Sequence, residues 1–247
     1  MCFGTDARPP LPPIRGGSGH HGEATLRSAD GTEFRVFYAH PDGPSDAGVV
    51  ILPDVRGLHP FYEELAERFA EAGLHTIAID YFGRTAGTGR RDDDFPFRDH
   101  ASQVRPEQVD EDVAAAVARL RHMHSGSVRS VFTVGFCFGG AMSWRQSAAG
   151  HGLAGCVGFY GRPERASAVV DSMRAPLLLL AAGQDRTPVS DVETFAAQVR
   201  AAGVEAELHV YPDAPHSFFD RSYEQYTEEC DDAWRRILDF VARHRAA

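Results

Sequence analysis

The stretch SVFTVGFCFGGA, residues 130–141, decides the fold. In its first half, Val131 to Val134 form an unbroken run of apolar and β-branched residues, the pattern of a strand covered on both faces. Gly135, Phe136, Cys137, Phe138, Gly139 and Gly140 follow, and a helical segment begins near Ala141. The spacing is GxCxG, where a nucleophile elbow commonly reads GxSxG. In such a turn the central residue sits in strained backbone, and small residues two places before and after it let strand and helix approach closely. Gly135 and Gly139 occupy those places. The turn sets Cys137 at the top of a strand and at a helix N-terminus, where the dipole and free N–H groups favour thiolate over thiol. A cysteine taken alone is more often a buried apolar residue than a nucleophile, so the case for Cys137 depends on its partners.

Working outward, strand and helix patterns alternate. Upstream, TEFRVFY (32–38) alternates like a half-exposed strand and GVVILP (48–53) is a continuous apolar run. FYEELAERFAEAG (61–73) is helical, HTIAID (75–80) a strand, and PEQVDEDVAAAVARLRHMH (106–124) helical. Downstream, LAGCVGFY (153–160), PLLLLAA (176–182) and AELHVY (206–211) read as strands, with helices over 189–203 and near the C-terminus. This alternation predicts the α/β class, a parallel sheet with crossover helices. Residues 1–24, rich in Pro and Gly, read as an irregular N-terminal arm, and 25–247 as a single domain. Cys2, His20 and His21 in that arm do not make a convincing metal site, because a flexible tail rarely holds ligands in fixed geometry. Residues 85–106 form a long polar connection that reads as a lid candidate. The Asp92, Asp93, Asp94 run within it reads as solvated charge.

Bulk properties narrow the function. The chain has 247 residues, a formal net charge of -10 and 43% hydrophobic content, enough for one large core. No basic stripe is available for phosphates, so nucleic acid and anionic membrane are excluded as expected partners, leaving a small molecule. Four scattered cysteines without CxxC spacing, no leader-like start and no apolar run of roughly 18 residues fit a cytoplasmic protein with reduced thiols.

Hydrolases built around such an elbow carry nucleophile, acid and base in that chain order, the last two on loops after later strands. Asp185 lies in AAGQDRTPV, just past the PLLLL strand, and His216 in YPDAPHSFF, just past AELHVY. His216 would take the thiol proton and later activate water, while Asp185 would hold its tautomer and orientation. The backbone N–H groups of Phe138 and Val55 are the expected oxyanion donors.

Together GFCFGG, the Asp of GxD, HSFF and PDVRGL resemble the dienelactone hydrolase family, over roughly residues 30–245. The resemblance implies an α/β-hydrolase fold, a mostly parallel central sheet with helices on both faces, and a triad of Cys137, His216 and Asp185. It implies hydrolysis of an ester or lactone through a thioester, with no cofactor and no metal. It also implies an acidic residue that gates the thiol, a place held by Asp54 where the family commonly has Glu. The family's two carboxylate-binding arginines map onto Arg84 and, displaced by one residue, Arg221. Tyr160, at the end of LAGCVGFY, completes the substrate-binding candidates, with Arg56 and Arg162 as substitutes at other strand ends. A thioesterase or general carboxylesterase would use the same triad, and a noncatalytic ligand-binding relative would share the fold alone. The oligomeric state is left open.

Overall fold

The computed structural model describes residues 7–123, 127–220 and 223–246. Its centre is an eight-stranded sheet in the order β1-β2-β4-β3-β5-β6-β7-β8. The strands are β1 (Ser18–Arg27), β2 (Glu33–Pro41), β3 (Ala47–Leu52), β4 (His75–Ile79), β5 (Ser130–Phe136), β6 (Gly155–Phe159), β7 (Leu177–Gln184) and β8 (Ala206–Pro215). The helices are α1 (Pro60–Glu71), α2 (Gly83–Ala86), α3 (Phe97–Ala101), α4 (Pro106–His122), α5 (Phe138–Gln146), α6 (Val189–Ala201) and α7 (Thr227–His244). From β4 to β8 all neighbours pair in parallel, while β1 and β2 form an antiparallel flap, β2 meeting β4 antiparallel. The mostly parallel sheet of the expected α/β-hydrolase fold is therefore present.

Burial follows the patterns that named the strands. Every residue of β3, β5 and β6 is buried, as continuous apolar runs require when helices cover both faces. On one face α1 and α7 pack against the sheet; Cys230, Ala233, Trp234, Ile237, Phe240 and Val241 of α7 recur at helical spacing and face inward. On the other face α4, α5 and α6 bury Val113, Trp144 and Phe195. This two-sided cover fixes the heights of the strand ends, and hence of the loops that carry the site.

The arm departs from its reading as irregular through residue 24. Strand β1 begins at Ser18 and forms a hairpin with β2, pairing Gly22 with Tyr38, Ala24 with Val36 and Leu26 with Phe34. The turn between them has Ser28 N–H donating to Thr32 O at 2.9 Å, and Gly31 at φ 86°. Asp30-Gly31 is a turn dipeptide that signals such a hairpin. Consecutive strand residues face opposite ways: His20 stacks on Tyr38, His21 on Phe37, and Cys2 lies outside the described residues. Residues before β1 are also anchored, since Trp234 Nε1 donates to Pro10 O at 3.1 Å.

Candidate active site

The elbow is built as its glycines require. Cys137 stands between β5 and α5 at φ 55°, a left-handed conformation that L side chains seldom adopt. A Cβ at Gly135 would lie 1.9 Å from Gly139 O, and one at Gly139 would lie 2.0 Å from Leu52 O and 2.3 Å from Pro53 O. No side chain fits at either place, so strand, helix and the end of β3 meet backbone to backbone. Cys137 N–H donates to Phe159 O at 3.1 Å, which ties the turn to β6.

The second half of the site comes from the loops that follow β7 and β8. Asp185 Oδ2 lies 2.7 Å from His216 Nδ1, across 31 residues of sequence. Asp185 Oδ1 accepts the N–H of Arg186 at 2.6 Å, which fixes the carboxylate. A carboxylate at Nδ1 makes that nitrogen the donor and leaves Nε2 with its lone pair, the tautomer a general base needs. The Asp185 side chain is 6% exposed and that of His216 36%, so the carboxylate is shielded and the imidazole meets solvent. Tyr160, at φ 36°, lays its ring 4.8 Å from that of His216, and its hydroxyl donates to Asp220 Oδ2 at 3.2 Å. The Tyr160 ring is therefore buried against the histidine rather than reaching out toward solvent.

Asp54 lies buried in the loop after β3, within a small charged network. Its Oδ1 accepts Arg56 N–H at 2.8 Å, its Oδ2 lies 3.4 Å from Arg56 Nε and 3.8 Å from His59 Nε2, and its N–H donates to Tyr62 Oη at 3.0 Å. Arg56 Nη2 is 2.8 Å from His59 Nε2, so the two basic side chains and Asp54 form one cluster. Burial holds the His59 imidazole below its ordinary value, against the opposing pull of Asp54. Burial alone would push the Asp54 carboxyl up, but His59 and Arg56 outweigh it and hold Asp54 below its ordinary value. Asp54 is thus an anion near the elbow.

The consequence for sulfur differs from the expectation of a thiolate at a helix N-terminus. Burial, then the charge of Asp54, push the Cys137 thiol up to about 12 against the opposing hydrogen bond from Phe138 N–H, with Asp220 and Asp185 adding to the rise. Desolvation and like charge outweigh the helix terminus, and the resting side chain is a protonated thiol.

The structure brings Cys137, Phe138, Asp54, Tyr160, Asp185 and His216 to the C-terminal ends of the parallel strands. Val55 is half-buried beside Asp54, and among the described residues its N–H has no backbone acceptor. Arg84, the expected carboxylate ligand, is paired with carboxylates of the protein itself: Asp30 accepts from its Nε at 2.7 Å, Asp112 from Nη1 at 2.9 Å, and Glu111 from Nη2 at 3.3 Å. All of its nitrogens are committed, because α4 presents the buried Asp112 carboxylate to Arg84 on α2. Arg221 lies outside the described residues. Arg162 pairs with Glu164 and, with Gln184, Asp185, Arg186 and His216, lines a cleft of about 530 Å³. His59 and Tyr62, which surround Asp54, and Asp220, whose charge bears on the thiol, carry no local sequence pattern that marks them. A second cleft, about 580 Å³, opens at the opposite strand ends beside His75 and Arg245, away from the cysteine. Among the described residues the one close group of three metal-capable side chains is Glu205, Glu207 and His244, remote from Cys137. No described helix is long and apolar enough to cross a membrane.

Comparison with known proteins places this geometry. The family model described as the dienelactone hydrolase family matches residues 34–245. A Rhodococcus opacus carboxymethylenebutenolidase is 26% identical over 260 residues, covering 99% of this chain and 97% of that protein. A Yersinia pestis protein bearing a carboxymethylenebutenolidase assignment is 28% identical over 242 residues, covering 91% and 89% of the two chains. The crystal structure of a Klebsiella pneumoniae protein assigned as a dienelactone hydrolase superposes with a TM-score of 0.74 at 26% identity, covering 91% of this chain and 99% of that one.

Proposed function

The chain belongs to the dienelactone hydrolase family, and from that premise we propose that it hydrolyses a carboxylic ester or lactone through Cys137, His216 and Asp185. The observation that carries the proposal is the Asp185 to His216 contact of 2.7 Å at the same end of the sheet as an elbow cysteine held at φ 55°. In the forward step the thiol proton passes to His216 Nε2 as Sγ bonds to the substrate carbonyl carbon. The tetrahedral oxyanion is held by the N–H groups of Phe138 and Val55. Collapse breaks the carbonyl carbon to oxygen bond; the leaving oxygen takes the proton from His216, and a thioester remains on Cys137. In a lactone the leaving alcohol stays tethered to the acyl group. Water, its proton drawn to His216, then attacks the thioester, and Sγ departs and regains its proton. Asp185 holds the ring and balances the imidazolium.

Burial, reinforced by like-charge repulsion from Asp54, keeps the resting thiol protonated and so protects it until substrate binds. The commitment of Arg84 to three carboxylates favours a second reading within the same chemistry, a general carboxylesterase that does not require a carboxylate on its substrate. A panel of lactones and aryl esters, each with and without a free carboxylate, tests both. Turnover of some member that Cys137→Ala abolishes supports the hydrolase, and equal rates for the charged and neutral partners support the second reading. An inert wild type would refute both.

A further inference from the structure

The loop from Pro53 to Leu58 carries Asp54 and Val55, and three consecutive residues at the end of β4 pin it at both ends. At its start Tyr81 Oη donates to Pro53 O at 2.8 Å, while the Tyr81 ring stands edge-on to Phe138 at 5.2 Å. At its far end Asp80 Oδ1 accepts Leu58 N–H at 3.1 Å. Between them Gly57, at φ 80°, packs so closely that a Cβ there would lie 2.5 Å from Asp80 Oδ1 and 2.8 Å from the Phe82 ring.

Asp80 is fully buried, and its second oxygen accepts Phe82 N–H at 3.1 Å and Arg91 Nη2 at 2.8 Å. Arg91 belongs to the long connection after Arg84 and is itself 4% exposed. Its Nη2 also donates to Gly87 O at 2.6 Å, its guanidinium lies 4.6 Å over the Phe95 ring, and Phe95 packs 5.3 Å from Phe82. A buried carboxylate persists only where its charge and lone pairs are met. Here the groups that meet them come from three separate segments, so movement of any one leaves the buried carboxylate short of a donor. The 87–95 stretch is therefore not a free lid; one buried ion pair fastens it to the loop beside the thiol.

We propose that Asp80 and Tyr81 are positioning residues for Val55 N–H and the Asp54 carboxylate, with Arg91 latching the 87–95 segment onto them. Order in that segment is then transmitted to the oxyanion side of the site. The inference rests on the reading that the 53–58 loop serves the reaction, and it adds residues that do not touch substrate. Loosening the latch displaces an oxyanion donor by a fraction of an ångström to an ångström, which lowers kcat by roughly 10- to 100-fold and leaves KM nearly unchanged.

The test is amide hydrogen exchange at Leu58 and Phe82, together with ester kinetics, in Arg91→Met, Arg91→Lys and Tyr81→Phe. We expect Arg91→Met to speed exchange at Leu58 by about tenfold or more as its acceptor is released, with kcat reduced and KM held. Arg91→Lys should restore most of both. Tyr81→Phe, which removes one oxygen from a buried ring, should lower kcat in the same direction and covers the case in which Arg91→Met fails to fold. Wild-type exchange and kcat in folded variants would overturn the proposal, as would faster exchange with unchanged kcat. If the wild type hydrolyses no ester, the hydrolase reading falls, and Leu58 exchange with Cys137 alkylation decides the inference instead. Change in both in Arg91→Met would then sustain it, and no change would end it.

Discussion

Replacing Asp54 by asparagine removes a charge from beside Cys137 while changing almost no volume. The wild-type thiol is pushed from an ordinary 9.0 up to about 12, by burial first and Asp54 second. A rise of about three units makes the thiolate about 4 kcal/mol harder to form. At pH 8 it lowers the thiolate fraction from about one in ten to about one in ten thousand, so alkylation should run about a thousandfold slower than at an open thiol. A unit charge within several ångströms, at an effective dielectric near 20, is worth on the order of 2 kcal/mol. Arg56, paired with Asp54 and left in place, offsets part of that charge. We therefore expect Asp54→Asn to raise the rate of Cys137 labelling by about tenfold. The assay is iodoacetamide labelling against pH, read by peptide mass, with the buried Cys156 and Cys230 as internal references. The midpoint of the Cys137 profile should move down in the variant, because a lost negative neighbour makes the thiolate easier to form. Identical profiles would show that Asp54 does not set the thiol's ionisation, and the gating role would be withdrawn.

Other perturbations follow from the same geometry. Asp185→Asn should lower kcat by about 10²- to 10⁴-fold, since the amide no longer fixes the His216 tautomer; unaltered steady-state kinetics would move the acid elsewhere. Gly139→Ala forces a methyl against Leu52 O and Pro53 O and should destabilise the fold by at least about 3 kcal/mol, seen as a lower urea midpoint; an unchanged midpoint would contradict the close packing of the elbow. Arg84→Ala leaves the buried Asp112 without its guanidinium and should destabilise by about 3 kcal/mol, while slowing acidic and neutral esters equally. A loss confined to acidic esters would restore Arg84 as a substrate ligand.

What could be read from the sequence was what sequence-local chemistry determines. GFCFGG announces the elbow because glycines on either side of a nucleophile leave a spacing that side chains cannot imitate. The apolar runs of β3, β5 and β6 announce buried parallel strands, and Asp185 and His216 follow strand ends in the order that the chemistry needs. Features set by contacts distant in sequence were not legible. Arg84 has the position expected of a substrate ligand, but its partners Asp30 and Asp112 lie 54 and 28 residues away, and only packing shows that they claim it. The helix N-terminus argued for a thiolate, yet burial and Asp54 reverse that argument, and neither is visible in GxCxG. Strand β1 was hidden because HHGEATL is polar on the face an edge strand turns to solvent. Arg91 sits among Asp residues that look solvated, and nothing nearby signals that its side chain is buried on Asp80.

The most direct test of the central claim is the hydrolysis rate of Cys137→Ala on the best ester or lactone substrate, measured beside a circular dichroism spectrum of the same sample. Alanine removes the sulfur and leaves the elbow backbone, so a nucleophilic Cys137 predicts a wild-type spectrum with turnover reduced to the uncatalysed background. A folded Cys137→Ala protein that hydrolyses the substrate at the wild-type rate would contradict the account, because the reaction would then proceed without the thioester on which every step depends.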